Sequence, residues 1–300
     1  MVIVPKLSIG LPVYNGENFL AGAIGSLLDQ SYRDFELIIS DNASTDRTAE
    51  ICLAFAATDD RIRYVRNDEN QGAAANYNQC LALASGEYFK WAAHDDLCHP
   101  LFLARCIAVL EANPGVVLCH SQSQGIDDSG ATKGRYGEER SFSSPSPSRR
   151  MWQVISTPHV CIAVFGVMRR AVLLQTIRHG DWVGADRNLL AQLSLHGKVV
   201  LVPEVLFKRR EHLESSIHKF EDEQERLAWF NPAFAGKRSR PTWRRWQEYN
   251  KAVHGAPLGL VEKARCYLQL LRWVGARHHT GPRNYRMLAR EIFTGAGPAS

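Results

Sequence analysis

The stretch GEYFKWAAHDDLC, residues 86–98, decides how the rest of the chain is read. GEYFKW has the length and aromatic character of a short buried strand, which puts Asp95 and Asp96 just past its carboxyl end. Open α/β sheets collect their ligands at that end of the strands. Two adjacent carboxylates repel each other and resist burial unless something positive sits beside them, most simply a divalent cation with hard oxygen ligands. Taken alone, the pair is more simply a solvated one that caps a helix opened by Pro100. The flanking sequence therefore has to decide.

Upstream, KLSIGLPVYN (6–15) is a β-rich run that stops at Pro12, Tyr14 and Asn15, and NFLAGAIGSLLDQ then carries Leu20, Ile24, Leu27 and Leu28 at helical spacing. FELIISDNASTD repeats the arrangement. It offers a strand from Phe35 to Ser40, polar Asp41 and Asn42 at its end, and Ser44 or Thr45 placed to cap a helix over residues 46–57. RIRYVRN supplies a third strand and GAAANYNQCLALA a third helix. Strands separated by single helices build a parallel, doubly wound sheet, so Tyr14, Asp41, Arg66 and the Asp95–Asp96 pair should share one edge. LPVYNGEN is not a G-x-G-x-x-G turn and no G-x-x-x-x-G-K-[ST] occurs, which excludes the dinucleotide and P-loop folds.

A chain of 300 residues with 45% apolar content suits one large α/β domain with extensions or two modest domains. The formal charge of +5 is concentrated from Lys237 onward, where Arg238, Arg240, Arg244, Arg245, Lys251, Lys263, Arg265, Arg272, Arg277, Arg283, Arg286 and Arg290 face few acids. Such a tail suits an anionic surface. The seven cysteines are scattered, without C-x-x-C spacing, and read as reduced core residues. MVIVPKLSIG reads as a first strand rather than a signal peptide, and no apolar run is long enough to span a bilayer, so the cytoplasm is the expected address.

LPVYNGENFL, SDNASTD, NQGAAANYNQCLALASGEYFKWAAHDD and GADRNLLAQLSLHGK together resemble family 2 glycosyltransferases, in order and at matching spacing from about residue 6 to residue 215. The resemblance implies an A-type glycosyltransferase fold: one Rossmann-like α/β domain with a mostly parallel central sheet, here with a C-terminal helical extension. It implies transfer from a nucleotide sugar with inversion and a divalent cation, Mg²⁺ or Mn²⁺. By analogy Pro12, Tyr14, Glu17, Asp41, Arg66 and Gly72 attend the nucleoside, and Asp95, with Asp96 beside it, matches the last acid of the D-x-D metal motif. The first acid of that motif falls at Ala93, which removes one ligand. His94 is expected to point away from Asp95, because neighbours alternate across a strand end.

Farther along, IDDSGATKG suggests a hairpin, and the Ser/Pro-rich SFSSPSPSRR reads as a loop or flap on the acceptor side. Gly166 would let the backbone pass close to the donor sugar. In GADRNLLAQLSLHGK, Asp186 opens a helix that Gly197 ends; a first-turn acid is favoured by the helix dipole alone, but the resemblance makes Asp186 the catalytic base in preference to Asp181. Arg209, Arg210 and His212 form either a basic surface loop or a group that meets the diphosphate, with His212 a further candidate metal ligand. PTWRRWQEYNKAVHG carries Trp243, Trp246, Tyr249 and Val253 on one helical face, and LGLVEKARCYLQLLRWVGA is a second amphipathic helix. Such basic, aromatic helices either pack on the catalytic domain or touch a membrane peripherally, at its inner face. No recognition motif points to nucleic acid.

The expected organisation is a catalytic domain over residues 1–220, with a nucleotide-binding half to about 120 and an acceptor-side half beyond it, followed by a basic helical extension over 221–300. The expected activity is sugar transfer, from a donor most simply uridine-linked, to a hydroxyl of a polysaccharide, lipid-linked or other glycan. Two rivals are a non-catalytic nucleotide-sugar binding module, suggested by Ala93, and a sugar nucleotidyltransferase, which would need a Gly-rich, Arg-bearing loop that LPVYNGEN does not provide.

Overall fold

The computed structural model describes residues 4–135, 139–157, 161–213, 223–237, 240–276 and 284–294. The first half alternates as expected: β1 (Leu7–Val13), α1 (Leu20–Leu28), β2 (Phe35–Asp41), α2 (Thr48–Ala56), β3 (Ile62–Arg66), α3 (Ala73–Leu83), β4 (Tyr88–Trp91), the two-residue β5 (Leu97–Cys98) and α4 (Phe102–Ala112). The second half contains β6 (Val116–Ile126), β7 (Thr132–Arg135), α5 (Pro147–Ser156), β8 (Val167–Arg169), the short α6 (Arg170–Leu173), α7 (Ala185–His196) and β9 (Lys198–Arg210). Four helices follow: α8 (Glu223–Phe230), α9 (Pro241–Gly255), α10 (Leu260–Gly275) and α11 (Asn284–Thr294). The expected boundary at residues 220–221 falls outside the described residues, as do Arg238, Arg277 and Arg283 of the basic run.

One sheet runs β3-β2-β1-β4-β8-β6-β9-β5, with β7 hairpinned onto β6. The pairs β3–β2, β2–β1, β1–β4 and β6–β9 are parallel, whereas β8 lies antiparallel between β4 and β6. Register brings Val13 opposite Asp41 and Asp41 opposite Arg66, so the carboxyl ends of β1, β2 and β3 finish level with one another.

Side-chain alternation along the strands divides the core into two layers. Leu37 and Ile39 face the layer of α1, α2 and α4; Ile38, between them, faces the layer of α3, α5, α7, α9 and α10. On β1, Leu7, Ile9, Leu11 and Val13 all serve the first layer. Gly10 points the other way, where a methyl group would fall 2.5 Å from Cys80 of α3, so glycine sets how closely α3 seats on the sheet.

Local expectations needed two corrections. Asp46, not Ser44 or Thr45, bonds the Thr48 N–H at the start of α2, because Ser44 Oγ is taken by the Asn15 N–H. The Ser/Pro-rich stretch is not wholly loop: Phe142 is buried and pairs with Val199, and Pro147 begins α5 with Ser146 as its cap. Residues 136–138, between β7 and that stretch, lie outside the described residues. The Trp243–Trp246 stripe of α9 packs on the catalytic core beside buried Tyr249 and Val253. All seven cysteines are free and none is fully exposed.

Candidate active site

Beyond the carboxyl ends of β1, β2 and β4 opens a cleft of about 630 Å³. Of the candidates named above, Pro12, Tyr14, Glu17, Asp95, Asp96 and His212 line it, together with Asn42, Asn70, Asn76, Tyr77, His94, Phe165, Arg209 and Trp229. Its floor is tied by local bonds. Asn15, at φ +51°, accepts from the Thr45 N–H, and Glu17 accepts from the Arg47 N–H, which zips the loop after β1 to the loop after β2.

Apart from Asp186, described below, four expected residues do not reach the cleft wall. Asp41 is fully buried beneath it, with one oxygen accepting from the Ser44 N–H at 2.8 Å and the other from the Tyr64 hydroxyl at 2.7 Å. Arg66 donates to the Ser44 carbonyl and stays 3.8 Å from Asp41. Gly72 takes φ +86° to start α3, and its carbonyl accepts from Asn42. Gly166 is required by packing on β6, since a methyl group there would meet the Cys119 carbonyl at 2.5 Å. Asparagines line the cleft instead, and the sequence assigns them no site role: Asn42, named above only as a strand end, accepts from the Asn67 side chain and the Gln71 N–H and donates to Asn70. The signal for them is a set of amides spaced along turns, which resembles ordinary loop composition.

The two acids diverge sharply. Asp95 Oδ2 lies 2.9 Å from His212 Nε2, on a residue buried against the Phe19 ring. Burial opposes ionisation of Asp95, but His94 and the His212 hydrogen bond outweigh it and hold the carboxyl below its ordinary range. Asp96 accepts the Arg210 N–H at 2.9 Å; burial and the charge of Asp95 push its pKa up. Asp96 thus braces β9 and caps no helix. His94 corrects the expectation that it points away: β4 ends at Trp91, alternation lapses with it, and His94 lines the same cleft as Asp95.

Arg210 is a strut, with Nε on the Asp95 carbonyl and Nη1 on the carbonyls of Asp127 and Asp128, while Arg209 lines the cleft. Among the described residues no three His, Cys, Asp or Glu side chains gather into a metal cage. A carboxylate oxygen and an imidazole nitrogen 2.9 Å apart at a cleft wall nevertheless form a donor set that a divalent cation fits, by exchanging their mutual bond for two metal bonds.

Asp186 sits in the first turn of α7, just behind that wall. Gly184, at φ +86°, turns the chain into the helix. His179 Nε2 approaches Asp186 Oδ1 at 3.8 Å, and the His179 ring stacks at 4.4 Å on Tyr77, which lines the cleft. Desolvation raises the Asp186 pKa, although His179 and Arg209 pull it down, and its side chain is 42% exposed. Burial depresses the His179 pKa against the pull of Asp186. Asp181 instead accepts from the Asn231 side chain at 3.0 Å.

Solved structures with this architecture include S. aureus TarS (residues 1–349, with UDP-GlcNAc), at a TM-score of 0.62 and 15% identity over 89% of this chain and 71% of that one. Another is the mannosyltransferase PcManGT of Pyrobaculum calidifontis with GDP-Man and Mn²⁺, at 0.55 and 18% over 99% and 77%. The fold is the A-type glycosyltransferase fold. In sequence, EpsE of Bacillus subtilis is 44% identical over 108 residues, 36% of this chain and 39% of EpsE, and the glycosyltransferase GlyA of Streptococcus pneumoniae is 36% identical over 96 residues, 32% and 14%. The chain therefore spans well under half the length of these curated relatives. Residues 8–176, more than half of the chain, match the family described as Glycosyl transferase family 2, and with the sheet-edge cleft in place the chain belongs to that family.

Proposed function

We propose that the protein transfers a sugar from a nucleotide sugar to an acceptor hydroxyl with inversion. The observation that carries this reading is the pairing of Asp95 with His212 on the wall of the cleft, with the half-open Asp186 one side chain behind the same wall. The loops after β1 and β2 and the Asn42 network would seat the nucleoside. Asp95 and His212 would hold a divalent cation, which when bound offsets the negative charge of the departing diphosphate. Asp186 would accept the proton of the attacking hydroxyl as the acceptor oxygen bonds to the anomeric carbon and the bond to the diphosphate breaks. One displacement inverts the centre, so an α-linked donor yields a β-glycoside. The acceptor is a glycan, polymeric or lipid-linked, and residues 1–220 form the catalytic unit.

The test is release of nucleoside diphosphate from a panel of UDP-, GDP- and dTDP-sugars with Mg²⁺, with Mn²⁺ and with chelator, beginning with the uridine-linked donors. Slow hydrolysis of one donor, lost on chelation and in Asp95→Asn and Asp186→Asn, is expected. Binding without release, both alone and with glycan acceptors, would instead make the protein a nucleotide-sugar binding module.

A further inference from the structure

Helix α10 is apolar on two opposite faces. Its inner face sets Cys266, Leu270 and Trp273 into the core shared with α5, α7 and α9. Its outer face presents Leu260 (87% exposed), Val261 (69%), Leu268 (58%) and Leu271 (68%) to solvent. At 100° per residue these four fall within about a third of the helix circumference. Burying such side chains is favourable, and a helix apolar all round is ordinarily covered on both sides. Among the described residues nothing covers this one.

The charges around the face select what does. Lys263 stands on one flank and Arg265 and Arg272 on the other. The helix's one acid, Glu262, is turned inward, where it accepts from the Ser146 hydroxyl and the Ser148 N–H at 2.8 Å. Arg265 also pairs with Glu262 at 3.1 Å, so the apolar strip is edged by Lys263 on one flank and, on the other, by Arg272 and the outward side of the Arg265–Glu262 pair, with cations in excess. A two-fold contact with a second copy would bring the same cationic edges together without an acidic counterpart. An anionic bilayer matches both parts: acyl chains for the leucines, phosphates for the cations.

We propose that α10 lies flat on an anionic lipid surface through Leu260, Val261, Leu268 and Leu271, with Lys263, Arg265 and Arg272 at headgroup level. The orientation turns the Trp243–Trp246 stripe of α9 inward, to the core, and gives the membrane the outer face of α10 instead. It goes beyond the transfer reading and does not depend on it. No described helix is long and apolar enough to cross a membrane, so the contact is peripheral.

Flotation of the full chain with vesicles of phosphatidylcholine alone, or mixed with phosphatidylglycerol, tests the assignment. Binding to the mixed vesicles, weakened by salt, is expected. Leu268→Glu combined with Leu271→Glu should abolish it without moving the thermal melt, since both positions are exposed, and without changing nucleotide-sugar hydrolysis. Arg265→Gln combined with Arg272→Gln should weaken binding to the mixed vesicles by about tenfold or more, at about 1 kcal/mol per cation. The proposal is overturned if the wild type ignores both vesicles, or if the glutamate pair still binds. It is equally overturned if sedimentation shows a dimer that the glutamate pair converts to monomer while vesicles are ignored, which would assign the face to a second copy.

Discussion

Asp95 and His212 are 117 positions apart, yet Oδ2 and Nε2 meet at 2.9 Å. The antiparallel pairing of β5 with β9 brings them together, since it aligns Leu97 with Lys208 and carries the end of β9 back past the acid loop. His212 is the side chain that the fold places against the Asp95 carboxylate, two positions beyond Ala93.

If these two groups hold the cation, His212→Ala should weaken Mn²⁺ binding by about tenfold or more and leave metal-free nucleoside binding nearly intact. Asp95→Asn should weaken metal-dependent donor binding and rate together. Calorimetric titration of nucleoside diphosphate with and without Mn²⁺ measures both effects. An unchanged metal dependence in His212→Ala would remove that residue from the site.

Asp186→Asn should reduce turnover by about 10²–10⁴-fold and spare donor binding. A general base works ionised, and desolvation raises the Asp186 pKa, so if Asp186 is the base the acid limb of the pH–rate profile should lie above the ordinary carboxylate range. The sign for stability follows. A carboxyl with a raised folded pKa opposes folding once it ionises, so the Asn variant should melt no lower than wild type at neutral pH. A variant that melts much earlier would point to a structural role for Asp186.

Glu262 makes the opposite prediction. Burial disfavours its charge, but the Ser148 N–H, the hydroxyls of Ser146 and Ser148, and Arg265 win and bring its pKa down to about 2. Its folded value lies below its unfolded one, so the stabilisation is complete above the ordinary glutamate range and is lost as pH falls toward about 2. Glu262→Ala should cost about 1.5–3 kcal/mol at neutral pH, with less acid dependence below about pH 4.3 than wild type. Denaturant melts at several pH values decide it.

Gly72→Ala tests the support beneath the cleft, where the nucleoside is proposed to sit. Beyond the unfavourable φ of +86°, a methyl group would sit 2.7 Å from the Phe230 carbonyl and from Pro232. A loss of about 1–3 kcal/mol is expected, accompanied by weaker nucleoside binding as the Asn42–Gly72 bond shifts.

What the sequence by itself determined was local and periodic: the strand–helix alternation to residue 112, the edge shared by Tyr14, Asp41 and Arg66, the acids after β4, and Asp186 in the first turn of α7. Apolar spacing reports which side of an element is buried, and turn residues report where it stops. Neither reports the partner across the fold. Only the tertiary structure buried Asp41 under Tyr64, because that needed β3 beside β2. It alone inserted β8 against the run of the sheet, committed Arg210 to three carbonyls, and joined His212 to Asp95. The outer face of α10 illustrates the same limit, since two apolar sides of one helix look alike in sequence until packing takes one and leaves the other open.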